Sequence, residues 1–285
     1  MQRLNTLDRI RAILRREPLW LQSLTGGKIS QVTRVDFADG SSLVAKTGEH
    51  SHDLTIEAYM LDTLRERSEL PVPQVIHAEP DLLLMEHIAG RDELRPASLR
   101  HLGRLMAECH QVRGPAYGLE RDTLIGPLHQ PNPPTPSWVE FFRENRLLYM
   151  TGLARDSGEL PSALETRLLR FADALEEYLV EPDYPALIHG DVWRTNIIVR
   201  GDHVAGIIDP ALYYAHNEME LAYMMLFDGF GADLFSAYRE IIPIESEFYE
   251  LRRHIYNLYP LLVHLIIFGA KYIKPLDDSL AIFGF

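Results

Sequence analysis

The stretch LIHGDVWRTNIIV, residues 187–199, sets a polar knot between two runs that want to be buried. Leu187 and Ile188 lead in; Ile197, Ile198 and Val199 lead out. Between them His189, Asp191, Arg194 and Asn196 crowd around Gly190. Taken alone, this is also the pattern of a structural turn, because Asp and Asn hydrogen-bond nearby backbone. The surroundings argue for chemistry. Asn196 lies five positions beyond Asp191, and Asp209 ends the apolar run VAGIID 18 positions beyond it. Far upstream, SLVAKT sets Lys46 in an expected strand. Glu57 follows eleven positions later, on the inner face of the helix expected over TIEAYMLDTLRERS. Phosphoryl transfer needs a carboxylate to accept a hydroxyl proton, an amide and a second carboxylate to hold Mg²⁺, and a fixed lysine on the nucleotide phosphates. Strand lysine, helix glutamate, Asp-x₄-Asn and a later Asp occur here in the order protein kinases use. The cofactors implied are ATP and Mg²⁺, a hard ion suited to these oxygen ligands.

Bulk properties narrow the class. With 285 residues, 46% hydrophobic and 24% charged, the chain can build a sizeable core in one large or two small domains. A net charge of −13 argues against nucleic acid as a partner, since phosphate backbones demand a basic footprint. Cys109 is the single cysteine, which excludes an internal disulfide and fits a reducing compartment. The N-terminal segment spaces Leu4, Leu7, Ile10 and Leu14 on one helical face and lacks the apolar core of a signal peptide. The apolar run PLLVHLIIFGA is too short to span a bilayer. A cytoplasmic protein without a membrane partner is expected. The sequence assigns no oligomeric state.

The pattern changes along the chain. QVTRVDFA alternates, ADGSS is a turn, and LVAKT returns, so a hairpin is expected just after the Gly26-Gly27 turn. After the TIEAYMLDTLRERS helix, PVPQVIHAEP and DLLLMEHIAG read as two more strands. From PASLRHLGRLMAECHQV onwards the periodicity is mostly helical, broken by the Pro-rich GPLHQPNPPTPS, expected to be a loop, and by the strands around Asp191 and before Asp209. The fold class expected is α+β and bilobal. Residues 1–86 would form an antiparallel sheet lobe with an inserted helix, and residues 87–285 a larger helical lobe for catalysis and substrate. The strand DLLLME would lead to the connection, where an adenine edge would meet backbone at Glu86 and Ile88. Gly26 and Gly27 would cover the phosphates.

HGDVWRTN together with IIDPALYYAHNEMELAYM resembles the fructosamine kinase family, within the aminoglycoside phosphotransferase and choline kinase-like group of the protein-kinase-like fold. Trp193 and the run Asp209-Pro210-Ala211 with Tyr213, Tyr214, His216 and Glu218 carry the most specific part. SLTGGKISQVTRV, YGLERDTLIGPLHQPNPPTPSWVEFFRENRL and LYPLLVHLIIFGAKY match further family segments in order. The resemblance implies Asp191 as base, Asn196 and Asp209 on Mg²⁺, Lys46 on the α- and β-phosphates and Glu57 orienting Lys46. It implies a sugar joined to an amine as a ketosamine, phosphorylated on its 3-hydroxyl. Trp193, Arg194, His216 and Glu218 are the expected substrate contacts. The chain departs from the family pattern at Arg194-Thr195, where Ser-Gly is usual, and at Ala215, Asn217 and Glu220. Lys28 and Ser30 stand where many members have Cys and Asn. Two alternatives remain at this level: a phosphotransferase acting on an aminoglycoside or choline-type hydroxyl, and a nucleotide-binding pseudokinase scaffold. The aromatics of YNLYPLLVHLIIF are expected to be core, and His189 to be structural.

Overall fold

The structure is a computed structural model that describes residues 6–24, 31–48, 53–90, 93–227 and 230–285. The Gly26 and Gly27 expectation lies outside the described residues. The chain opens with α1 (Thr6–Leu14) and β1 (Pro18–Leu24), followed by β2 (Gln31–Phe37), β3 (Ser42–Thr47), α2 (Leu54–Arg67), β4 (Val75–Glu79) and β5 (Leu82–Glu86). The strands form one five-stranded sheet in the order β1-β2-β3-β5-β4, every pairing antiparallel.

Strand alternation decides what each face of this sheet does. Leu43 and Ala45 of β3, with Leu82 and Leu84 of β5, pack with Val35, Phe37 and Ile10 of α1 in a small core. Val44, Leu83 and Met85 fall on the opposite face and join Leu54, Ala58 and Leu61 of α2. Lys46, two residues after Val44, therefore points to the α2 side by the same period. Asp53 caps α2, its carboxylate accepting from Thr55 N–H at 3.0 Å. That fixes the helix start and puts Glu57 in the first turn. β1 was not foreseen as a strand. It is an edge strand whose Leu19 and Trp20 are 69% and 65% exposed, so no buried face marks it by alternation.

The rest of the chain is mainly helical. It runs through α3 (Pro96–His110), the short hairpin β6 (Thr123–Ile125) and β7 (Leu128–Gln130), then α4 (Trp138–Phe142), α5 (Tyr149–Asp156) and α6 (Ser162–Asp173). β8 (Ala186–Ile188), β9 (Ile197–Arg200), β10 (His203–Ile207) and β11 (Tyr213–Ala215) follow, then α7 (Asn217–Leu226), α8 (Ala232–Arg239), α9 (Arg253–Phe268) and α10 (Ile273–Ala281). The Pro-rich segment expected to be all loop contributes β7, because Gln130 is buried and bonded on three sides. Its amide nitrogen donates to Thr123 Oγ1 (2.8 Å) and Ala211 O (3.1 Å), and its oxygen accepts from Tyr259 OH (2.6 Å). A π-helical turn at residues 143–148 links α4 to α5 and carries the fully buried Arg146. Its guanidinium lies 3.9 Å from the Tyr213 ring centroid and donates to Asn132 Oδ1 at 2.6 Å. Cation–π contact and hydrogen bonds together offset the burial of that charge. No helix among the described residues is long and apolar enough to cross a membrane.

Candidate active site

β3 and α2 bring Lys46 and Glu57 together. Lys46 Nζ stands 2.8 Å from Glu57 Oε2 and 2.9 Å from Asp209 Oδ1, 163 positions away in sequence. Both partners of the first pair are buried, at 9% and 5% exposure. Burial opposes the Lys46 charge, but the two carboxylates outweigh it and hold the ammonium above its ordinary range. Burial, followed by repulsion from Asp209, pushes Glu57 up against the pull of Lys46.

The stretch at residues 187–199 resolves into β8, a tight turn, a 3₁₀ turn at Arg194–Asn196 and β9. β8 is pinned by β11 and β9 by β10, so the polar knot is a loop held at both ends. Gly190 takes φ +88°, and a Cβ there would sit 2.1 Å from Ala211 O. Only glycine allows this turn and this approach of the 209–212 segment. Ala211 N–H donates to His189 O at 2.8 Å, and Ile208 N–H to Asn196 O at 2.9 Å, so the two segments are stitched twice. Asp209 itself has φ +55°, an uncommon conformation for a non-glycine residue and of the kind that concentrates at functional sites. Gly190→Ala is expected to cost about 1–3 kcal/mol from the backbone conformation alone, with the clash added. A chemical-denaturation midpoint equal to that of the unmodified protein would contradict this.

Asp191 lies half-buried at the loop. Asn196 Nδ2 donates to its Oδ2 at 3.1 Å and to its carbonyl at 3.0 Å. Burial pushes the Asp191 carboxyl up to about 7, hydrogen bonds from Tyr223 and Asn196 pull the other way, and the negative fields of Asp209 and Glu220 add to the rise. Beneath the loop, the buried Glu220 carboxylate accepts from His189 N–H (3.1 Å) and Gly190 N–H (2.6 Å) and pairs with His110 Nε2 at 2.9 Å. Burial alone would raise Glu220; the His110 hydrogen bond and charge outweigh it and hold the carboxyl below its usual range. His189 is fully buried and its Nδ1 accepts from Asp191 N–H at 3.3 Å. The ring is a brace within the loop.

These groups line one cleft of about 1320 Å³ between the sheet and the helical part. That exceeds the few hundred to about 1,000 Å³ of common single-ligand sites, enough for a nucleotide and an acceptor side by side. Lys46, Glu57, Asp191, Asn196 and Asp209 all face it, with Glu86 and Ile88 at the strand end and Trp193 and Arg194 on the loop. Trp193 is 40% exposed, so it is a wall rather than core.

His216 and Glu218 are not brought to the cleft. His216 donates or accepts at Tyr256 OH (2.7 Å) and packs edge-on against Trp138. Burial, then the Arg252 charge, push its pKa down to about 3, so it is a neutral core imidazole. Glu218 is locked by Arg252 through two bonds of 2.6 Å. Their closeness in sequence to Asp209 suggested a contact that α7 does not make, because its first turn points them into the helical core. In their place the cleft is lined by Tyr223 of α7 and by Tyr259, His264 and Phe268 of α9. Sequence reading assigned these α9 aromatics to the core. The available signal was His264, a titratable ring inside an apolar helical run. Glu220 was noted only as a departure, and its role as a backbone brace had no local signal.

An antiparallel five-stranded sheet over a helical body, with the cleft between, is the protein-kinase-like architecture. An aminoglycoside phosphotransferase structure shares that fold at TM-score 0.69 and 15% identity, covering 98% of this chain and 96% of the other. A solved structure assigned to fructosamine-3-kinase, from Thermobifida fusca, superposes at TM-score 0.88 with 30% identity, covering 98% of each chain. Among curated proteins, the chloroplastic protein-ribulosamine 3-kinase of Arabidopsis thaliana is 31% identical over 94% of this chain and 89% of its own length. The family model for fructosamine kinase matches residues 15–281, and this chain belongs to that family.

Proposed function

We propose that this protein transfers the γ-phosphoryl group of ATP to a sugar hydroxyl of a ketosamine. One observation carries the reading: a buried lysine held 2.8 Å from Glu57 and 2.9 Å from Asp209, facing the same cleft as an Asp191 clamped by Asn196. Such chemistry is almost entirely positioning and charge neutralisation. Lys46 neutralises the α- and β-phosphates, and Glu57 stops it from wandering. Glu86 donates its N–H to Gln74 O at 2.9 Å, which fixes the strand end, and Glu86 and Ile88 line the cleft where a purine edge would meet their backbone. Asn196 and Asp209 fit Mg²⁺: both offer hard oxygen donors, and the Asn196 nitrogen is turned to Asp191, leaving its oxygen end for a cation. The ion, when bound, neutralises charge between the phosphates. Asp191 accepts the proton of the acceptor hydroxyl, and Trp193 walls the acceptor side. A cytoplasmic setting is part of the proposal and rests on the single, buried cysteine.

The deciding experiment is a product-resolved assay of the purified chain with ATP and Mg²⁺ over fructosyl- and ribulosyl-amines. A phosphorylated ketosamine that disappears when Mg²⁺ is chelated is expected. Product only from aminoglycosides or choline would move the acceptor elsewhere. ATP binding without any product would favour a pseudokinase.

A further inference from the structure

The cleft has a second end. Tyr223, hydrogen-bonded to Asp191, starts a continuous wall of rings. Its centroid lies 6.3 Å from Phe227 and 6.4 Å from His264. His264 sits 4.6 Å from Phe227, 5.3 Å from Phe268 and 5.1 Å from Tyr272. All of these line the cleft, and Phe268 is 37% exposed. Four rings around one imidazole, all facing the cleft, are not a packed core.

A cation crowns this wall. Lys271 lines the same cleft, its Nζ 5.0 Å from the Tyr272 centroid and 5.6 Å from that of Phe268. Among the described residues no carboxylate pairs with Lys271. The loop adds Arg194, also on the cleft. A positive rim in a chain of net charge −13 is local and runs against the overall field. Rings that accept an ammonium on their faces, followed by a lysine, suit a molecule with a positive amine and then an anion. They disfavour a purely cationic acceptor, which Lys271 would repel.

We infer that the acceptor carries an anionic group on the end away from the reacting hydroxyl, seated by Lys271 beyond the aromatic wall. This rests on the phosphotransferase reading and deepens it. The anion has two chemical sources: the carboxylate of an amino acid forming the amine half of the ketosamine, or a phosphate already on the sugar.

Calorimetric titration of the full chain separates them, using three ketosamines: that of glycine, that of glycinamide, and a phosphosugar ketosamine of a neutral amine. The unmodified protein is expected to bind at least one anionic compound about fivefold tighter than the amide, the scale of one partly exposed ion pair. Lys271→Met should abolish the preference and Lys271→Arg restore it. Preference for the glycine compound alone assigns the carboxylate; preference for the phosphosugar alone assigns the phosphate. Equal affinities in the unmodified protein, a preference that survives Lys271→Met, or no binding of any of the three overturns the inference. Product formation is followed in parallel. A Lys271-dependent preference without product keeps the subsite and sinks the kinase reading; product without preference does the reverse.

Discussion

Asp191→Asn is expected to lower kcat by about 10²–10⁴-fold, the usual worth of a positioned acid or base. The fold should survive. Asn keeps an oxygen to accept from Asn196 Nδ2, now 3.1 Å away, and loses a negative charge that sits in the fields of Asp209 and Glu220. The thermal midpoint should hold or rise slightly, because a half-buried carboxylate with two acidic neighbours costs free energy that the amide does not. Single-turnover rates with a ketosamine and ATP, beside a melting curve, measure both. Turnover within tenfold of the unmodified protein would remove Asp191 from the role of base.

Glu220→Ala should have the largest effect on stability. It strips the acceptor from two backbone N–H groups, at 3.1 and 2.6 Å, and from buried His110 at 2.9 Å. Three donors are left without a partner, two of them on the fully buried His189 and His110. Removing one member of such a buried charged network typically costs about 3–5 kcal/mol. Urea unfolding followed by circular dichroism gives the number. The residual folded protein should also turn over slowly, since the two braced peptides, ending at His189 and Gly190, lead directly into Asp191. A loss below about 1 kcal/mol would show that the loop holds itself without Glu220.

The residues proposed for the chemistry could be picked out because their types are hard to replace. Phosphoryl transfer needs oxygen donors and a cation, and Asp191 and Asn196 are five positions apart, so the chain itself keeps them together. The sheet-then-helix order was legible too, because β2, β3 and β5 each bury at least one face and alternate or run apolar accordingly. β1 escaped because its exposed residues carry no period. His216 and Glu218 were misplaced for a different reason: nearness to a motif says nothing about which way a helix turns its side chains. Arg252, which claims Glu218, lies 34 positions downstream.

What the sequence by itself determined is therefore the reaction chemistry and the lobe order, both written in residue type and local period. Only the tertiary structure decided that Lys46 reaches Asp209 across 163 positions, that Glu220 braces the loop from below, and that the rings of α9 face a cleft. An apolar helix face reads the same whether it meets a packed core or an open cavity, since both exclude polar side chains. The difference lies in what stands opposite, and that is set by packing between distant elements.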